Sequence, residues 1–334
     1  ADEFTPTLVD AALLEITTPK YPFSPGLQDV KVVLKNNGAD DLTSVSIDWQ
    51  VNGTPQTTYN WTGTLFSGGI DTVTIGSVDF QTLTEYDLLI NTLNPNGLSD
   101  LVPSNDTAFV NDLYPSLEGV FTIGGTGPDF PSITAAVDAL HRSGVTDSVI
   151  FNLRNGIYNE QLHLMEITGV DSSKTVTFQS ESGDSSQVVV SFAPTSSSVD
   201  VNYVFRFDGA DWVTLRQLTI ENTHPTYGRV IAFEENSFNN TFENNVLRNQ
   251  PSTTTSSIRA IVFSSNDFAD NTTFRNNKFY NGSYGIYWNG DFNNGEYTGG
   301  LLIENNYFQD QYRWACWAVD LNSPKIIGNT FTSN

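Results

Sequence analysis

The chain has 334 residues, with 38 acidic against 15 basic side chains and a formal charge of −23. That balance excludes nucleic acid and anionic membranes as partners, since both are held by basic patches, and it disfavours polyanionic substrates such as polygalacturonate unless calcium bridges the charges. A single cysteine, Cys316, excludes an intramolecular disulfide, and no run of residues has the length of a membrane-spanning helix.

Residues 1–115 read as an all-β sandwich of the immunoglobulin-like kind. Val30, Val32 and Leu34 alternate with charged neighbours, and Val45, Ile47, Trp49 and Val51 alternate with Ser46, Asp48 and Gln50. Such alternation marks strands with one buried face. Asn52-Gly53 follows at once, the dipeptide that favours a two-residue hairpin turn. Further strands are predicted near Tyr59–Thr64, Asp71–Ile75, Tyr86–Asn91 and Thr107–Val110, separated by turn clusters rich in Asn, Gly and Pro.

The stretches FSPGLQDVKVVLKNNG, LTSVSIDWQVNGTPQTTYNWTGTL and NPNGLSDLVPSNDT resemble the adhesion-related immunoglobulin-like domains of secreted Bacteroidota surface proteins. The resemblance covers nearly the whole first domain and implies a spacer or adhesion module. Asp71-Thr72-Val73, Asp106-Thr107-Ala108 and Asp147-Ser148-Val149 resemble the O-glycosylation motifs of exported proteins of that group. Thr72, Thr107 and Ser148 are therefore candidate attachment sites.

A new start follows at residue 116. Ser132 is placed to cap a helix over residues 132–143, whose Ile133, Ala136, Val137 and Leu140 share one face and whose natural stop is Gly144. Strands VIFNL and NGIYNEQLHL come next. GPDFPSITAAVDAL with VIFNLRNGIYNEQLHL is similar to the opening of pectinesterases and other pectin-lyase-like β-helices. That similarity implies a β-helix with an N-terminal capping helix, and assigns no chemistry.

The rest of the chain repeats itself. LRQLTIEN, FENNVLRN, FRNNKFYN, IENNYFQD and IIGNTFTS begin at Leu215, Phe242, Phe274, Ile303 and Ile326, at intervals of 27, 32, 29 and 23 residues. Four carry Asn at the fourth place, namely Asn245, Asn277, Asn306 and Asn329, and each of these follows an Asn or Gly suited to a left-handed corner. A period of this size built from short β-runs predicts a solenoid. Residues 116–334 are read as a right-handed parallel β-helix with a structural Asn ladder. The last repeat carries no cap, so further domains of the same polypeptide are expected beyond it.

Candidate chemistry is sparse. The local echo of a pectinesterase site is Asp310 with Arg313, without the Gly-rich, Asp-containing strand that should follow. Asp208, Asp211, Glu234, Glu235, Asp267, Asp270, Asp291 and Asp320 are the other carboxylates available for an acid–base pair. Asn289, Asp291, Asn293 and Glu296 form an oxygen cluster that could take calcium, but they miss the twelve-residue loop pattern. The three histidines lie far apart and zinc spacing is absent. Tyr203, Arg229, Arg259, Tyr284 and Trp317 are assigned to one column ahead of the inner strand pairs, where they either stack on sugar rings or turn inward and pack the corner.

The leading expectation is a non-catalytic segment of a secreted or cell-surface protein, acting in adhesion, glycan contact or spacing, with no cofactor. Its partners would be an extracellular glycan or surface protein and, from the resemblance, the type IX secretion machinery. The alternative is a polysaccharide lyase, esterase or hydrolase, which would show charged side chains converging on one groove.

Overall fold

The computed structural model describes residues 9–265, 269–290, 292–293 and 296–333. The chain divides into two units at Leu117 and Glu118.

The first unit is a sandwich of two antiparallel sheets. One holds Ala11–Thr18, Gly26–Asn36 and Ile70–Phe80; the other holds Thr54–Pro55, Leu42–Val51, Tyr86–Leu93 and Thr107–Leu113, with Tyr59–Leu65 also paired to Leu42–Val51. The alternation predicted from sequence turns Val30, Val32, Leu34, Val45, Ile47 and Trp49 into one core. Asn52 and Gly53 take φ of 49° and 72° and turn Leu42–Val51 back onto Thr54–Pro55. The strand Ala11–Thr18 has no counterpart among the sequence-based expectations.

One end of this sandwich carries a pH-sensitive carboxyl. Asp106 is buried, and its Oδ1 has no hydrogen-bond partner among the described residues. Burial, then the nearby Asp100 and Asp10 carboxylates, push its pKa from 3.8 to about 6. A carboxyl raised in the folded state stabilises the fold when protonated. That contribution is full below 3.8 and is lost as pH rises through about 6. Thermal stability of the sandwich should therefore rise on going from about pH 7 to pH 5, and Asp106→Asn should raise it at neutral pH and flatten the profile. Scanning calorimetry checks this; an Asp106→Asn protein that is less stable than wild type at neutral pH contradicts it.

The second unit is a right-handed parallel β-helix. Its first sheet runs from Leu117–Ile123 to Lys325–Ile327, its second from Gly156–Asn159 to Thr330–Thr332, and its third from Leu162–Met165 to Trp314–Val319. The coils before the last bury the same register positions. In the first sheet Phe151, Phe178, Leu215, Phe242, Phe274 and Ile303 are aligned and fully buried. Identical side chains stack where they meet, as in Phe242–Phe274 at 4.9 Å and Phe279–Phe308 at 4.4 Å between ring centroids.

The corner between the first and second sheets is braced by asparagines. The backbone N–H groups of Asn245, Asn277 and Asn306 donate to Oδ1 of the Asn one coil on, Asn277, Asn306 and Asn329, at 2.9, 2.8 and 2.8 Å. Each Nδ2 reaches back to a carbonyl of the coil before, that of Leu215, Phe242, Phe274 or Ile303. The ladder is thus chiefly side chain to backbone, with amide-to-amide contacts of 3.1 Å added at Asn277–Asn306 and Asn306–Asn329. The preceding Asn244, Asn276, Asn305 and Gly328 have φ of 57°, 56°, 54° and 66°, which makes the corner. A second buried pair, Asn222 and Asn249, joined at 2.8 Å, was not foreseen. Gly228 has to be glycine beside it, because a Cβ there would lie 2.2 Å from the Asn222 side chain.

Outside the first sheet, Arg216, Glu243, Arg275 and Glu304 follow one another in register. They pair at 3.4 Å (Arg216–Glu243) and 2.7 Å (Arg275–Glu304). Such solvated pairs contribute at most about 1 kcal/mol each and serve mainly to fix register.

The helix Ile133–Ser143 packs beside Leu162–Met165, the edge strand of the third sheet. Ser132 Oγ accepts from Ala135 N–H as expected. Glu160 adds a cap that sequence reading missed, accepting from the N–H groups of Ile133 and Thr134 at 3.2 and 2.7 Å. A carboxylate is favourable there because the helix N-terminus is positive.

Candidate functional site

The outer face of the third sheet gathers the chemistry of the second unit. Its strands Phe205–Asp208, Ile231–Glu234, Val262–Ser265, Tyr284–Asn289 and Trp314–Val319 alternate, and Phe205, Phe207, Ile231, Phe233, Ile286 and Trp288 point into the core. The residues between them point out. Register lines up His163, Arg206, Ala232, Phe263, Tyr287 and Trp317 in one outward row, and Asp208 with Glu234 in the next.

The early coils of this face are charged. Asp208 Oδ2 lies 2.7 Å from His163 Nε2 and 3.2 Å from an Arg206 guanidinium nitrogen, which lies 2.8 Å from Glu234 Oε2. These carboxylates are less exposed than most of those in the ladders on the other two sheets. Burial raises the Glu234 pKa most, and Arg206 opposes that shift. Beside this network lies a cavity of about 420 Å³ lined by Glu166, Asp208, Asp211, Glu235, Asn236 and Phe238. Asp211 is also raised, first by burial and further by Glu166, against an opposing hydrogen bond from the Phe238 N–H.

The later coils are aromatic. Phe263 stacks on Tyr287 at 5.3 Å, and Tyr287 on Trp317 at 4.3 Å. The buried guanidinium of Arg229 lies 3.3 Å from the Phe263 centroid and closes the stack from above. The ring faces of Phe263 and Tyr287 are therefore spent on their neighbours. Trp314 and Tyr312 differ, being 43% and 52% exposed. Tyr284 meets Trp314 edge-on at 5.9 Å, and Arg313 lies 4.4 Å from the Trp314 centroid. Between the two halves, Val199, Glu234, Phe263 and Ser265 line a hollow of about 270 Å³.

The column inferred from sequence is corrected by this register. The residues two places before the aligned Phe205, Ile231, Val262, Ile286 and Cys316 are Tyr203, Arg229, Ala260, Tyr284 and Trp314. Arg259 and Trp317 do not belong to it. Of the five residues assigned, Tyr203, Arg229, Arg259 and Tyr284 are only 6%, 4%, 5% and 3% exposed, so four are packed against the protein and present no face to a sugar ring. Arg259 pins a loop, donating to the carbonyls of Gln250 and Pro251 at 3.0 and 2.9 Å. Trp317 ends the aromatic stack.

The other candidates are placed as follows. Asp310 is a turn residue with φ of 61°, and its carboxylate accepts from Gln309 Nε2. Arg313 serves Trp314 and the Thr255 carbonyl. Asp270 accepts from the Gly299 N–H, and Asp320 sits in an exposed turn. Asp267 and Asp291 lie outside the described residues, and with Asp291 so does the calcium cluster proposed for Asn289, Asp291, Asn293 and Glu296. Among the described residues no group of three His, Cys, Asp or Glu side chains is arranged to hold a metal ion. Thr72 and Thr107 are exposed on strands, with the Thr107 hydroxyl donating to Asn91 Oδ1, and the Ser148 hydroxyl donates to the Ser173 carbonyl and accepts from the Thr175 N–H. Cys316 faces inward, and burial pushes its thiol up to about 11.

No protein-family model matches the chain, and no curated protein does. Among solved structures, a CARDB domain from Pyrococcus furiosus, determined in complex with di-metal ions, is similar to 34% of this chain over 99% of its own length, at 24% identity and a TM-score of 0.29. The pectin methylesterase of Aspergillus niger is similar to 65% of this chain over 86% of its own, at 13% identity and a TM-score of 0.35. The rice weevil pectin methylesterase covers 58% of this chain and 66% of its own at 13% identity and a TM-score of 0.39.

Proposed function

We propose that this chain is a glycan-contact module of a secreted or cell-surface protein, with the outer face of the third sheet as its binding face. One observation carries the reading. The exposed ring of Trp314, on the last strand of the third sheet, and that of Tyr312, in the turn before it, lie at one end of the sheet whose outer face carries the carboxylates of Asp208 and Glu234. An oligosaccharide running along the axis would set an apolar ring face on Trp314 and offer hydroxyl donors to the carboxylates. The first unit acts as the adhesion or spacer element. Export by type IX secretion belongs to the same proposal.

The test is calorimetric titration against a panel of oligosaccharides. Truncating an aromatic hot spot costs roughly 2 kcal/mol, so Trp314→Ala should weaken binding about thirtyfold, and Trp314→Phe should restore most of it. Binding that is unchanged in Trp314→Ala, or no binding across the panel, refutes the reading.

A second reading, glycan hydrolysis, is favoured by two carboxyls raised by burial, Asp211 in the 420 Å³ cavity and Glu234 in the charged network beside it. Release of reducing ends that is lost in both Glu234→Gln and Asp211→Asn would establish it.

A further inference from the structure

We infer that the third-sheet face selects uncharged glycans, and that the carboxylates around its cavity, rather than the overall charge of the protein, reject polyuronates. The inference rests on the glycan-contact reading and names the ligand class.

The charges of the face are unevenly distributed. Arg206 is held between Asp208 and Glu234, so it is already neutralised. Arg229 is buried over the Phe263 ring and cannot meet a ligand without leaving it. Among the described residues of the face, exposed arginine lies at the far end, on Arg313 over Trp314. Against this, Glu166, Asp211 and Glu235 line the 420 Å³ cavity together with Asp208. A uronate chain laid along the axis would bring a carboxylate to this end with no free cation to receive it. Asp211 is half-buried there while Glu166 and Glu235 stand exposed at the rim, so a uronate carboxylate laid across the opening meets like charges at short range. The repulsion acts over roughly the 8 Å Debye length of physiological salt, so distant acidic residues contribute little. Specificity built by such a repulsive element needs no extra contact to the favoured ligand.

The experiment compares a neutral galactan oligomer with a polygalacturonate oligomer of equal length, at about 0.15 M salt with EDTA present so that no divalent cation bridges the charges. Wild-type protein should bind the neutral oligomer at least tenfold more tightly. In Glu166→Gln/Asp211→Asn/Glu235→Gln the ratio should fall to threefold or less. A control that removes the same charge from the sandwich, Asp29→Asn/Asp41→Asn/Asp79→Asn, should keep the wild-type ratio. Equal binding of both oligomers by wild type overturns the inference and leaves the glycan reading standing. A ratio that persists in the cavity variant, or that falls equally in the sandwich variant, overturns the role of these carboxylates. Failure of both oligomers, and of every other glycan in the panel, to bind overturns the glycan reading itself.

Discussion

Replacing Asn277 by Ala should destabilise the β-helix by about 3–5 kcal/mol, enough to leave a marginal fold largely open. The side chain is 1% exposed and serves three coils at once. Its Oδ1 takes the Asn245 N–H at 2.9 Å, and its Nδ2 reaches the Phe242 carbonyl at 2.8 Å and Asn306 Oδ1 at 3.1 Å. Ala removes these partners and leaves a buried N–H and a buried C=O unsatisfied, at roughly 1–3 kcal/mol for each. The neighbouring Asn276, at φ of 56°, loses the brace that holds its left-handed corner. Asp at 277 should be intermediate, since it keeps the acceptor and loses the donor. Urea denaturation followed by far-ultraviolet circular dichroism measures this. A loss below 1 kcal/mol would show that the ladder decorates the corner rather than holding it.

Phe242→Ala should cost about as much, some 3–5 kcal/mol, through a different term. The ring is fully buried and lies 4.9 Å from Phe274, 5.3 Å from Phe207 and 5.8 Å from Phe233, so it ties the first sheet to the third across the core. Ala leaves a cavity that stacked coils cannot close, because each is fixed by backbone pairing on both sides. Phe242→Leu should cost less than half as much, as it refills most of the volume. Denaturant midpoints for both variants check the order. Equal losses for Ala and Leu would point to the ring contacts rather than to volume.

Much of this fold was legible in the sequence because each coil must bury the same positions. The apolar-x-x-Asn segments therefore recur whatever the loops between them do, and Leu215, Phe242, Phe274, Ile303 and Ile326 stand in register as their spacing predicts. The third sheet was harder. Its inward runs are only a few residues long and follow loops of varied length, so the column read from sequence slips by one residue at Arg259 and by three at Trp317. In a strand a one-residue slip exchanges the two faces. That is why Arg259 was assigned to a column held by Ala260, and Trp317 to one held by Trp314.

Apart from Arg206 and Asp208, two residues apart on one strand, the charged network carried no local signal. His163 and Asp208 are 45 residues apart, and Arg206 and Glu234 are 28 apart. Only the stacking of coils makes them neighbours. The sandwich strand Ala11–Thr18 was missed for the opposite reason. Its inward Ala11, Ala12 and Leu13 run together instead of alternating, so no period of two marks it.

Hydroxyl-radical footprinting with and without a bound neutral oligosaccharide tests the central claim most directly. Trp314 and Tyr312 are 43% and 52% exposed and should be labelled readily in the free protein. Saturating glycan should protect both several-fold, while Phe66 and Phe109 of the sandwich, 69% and 66% exposed, keep their labelling rates. Labelling of Trp314 and Tyr312 that is the same with and without bound glycan would contradict it.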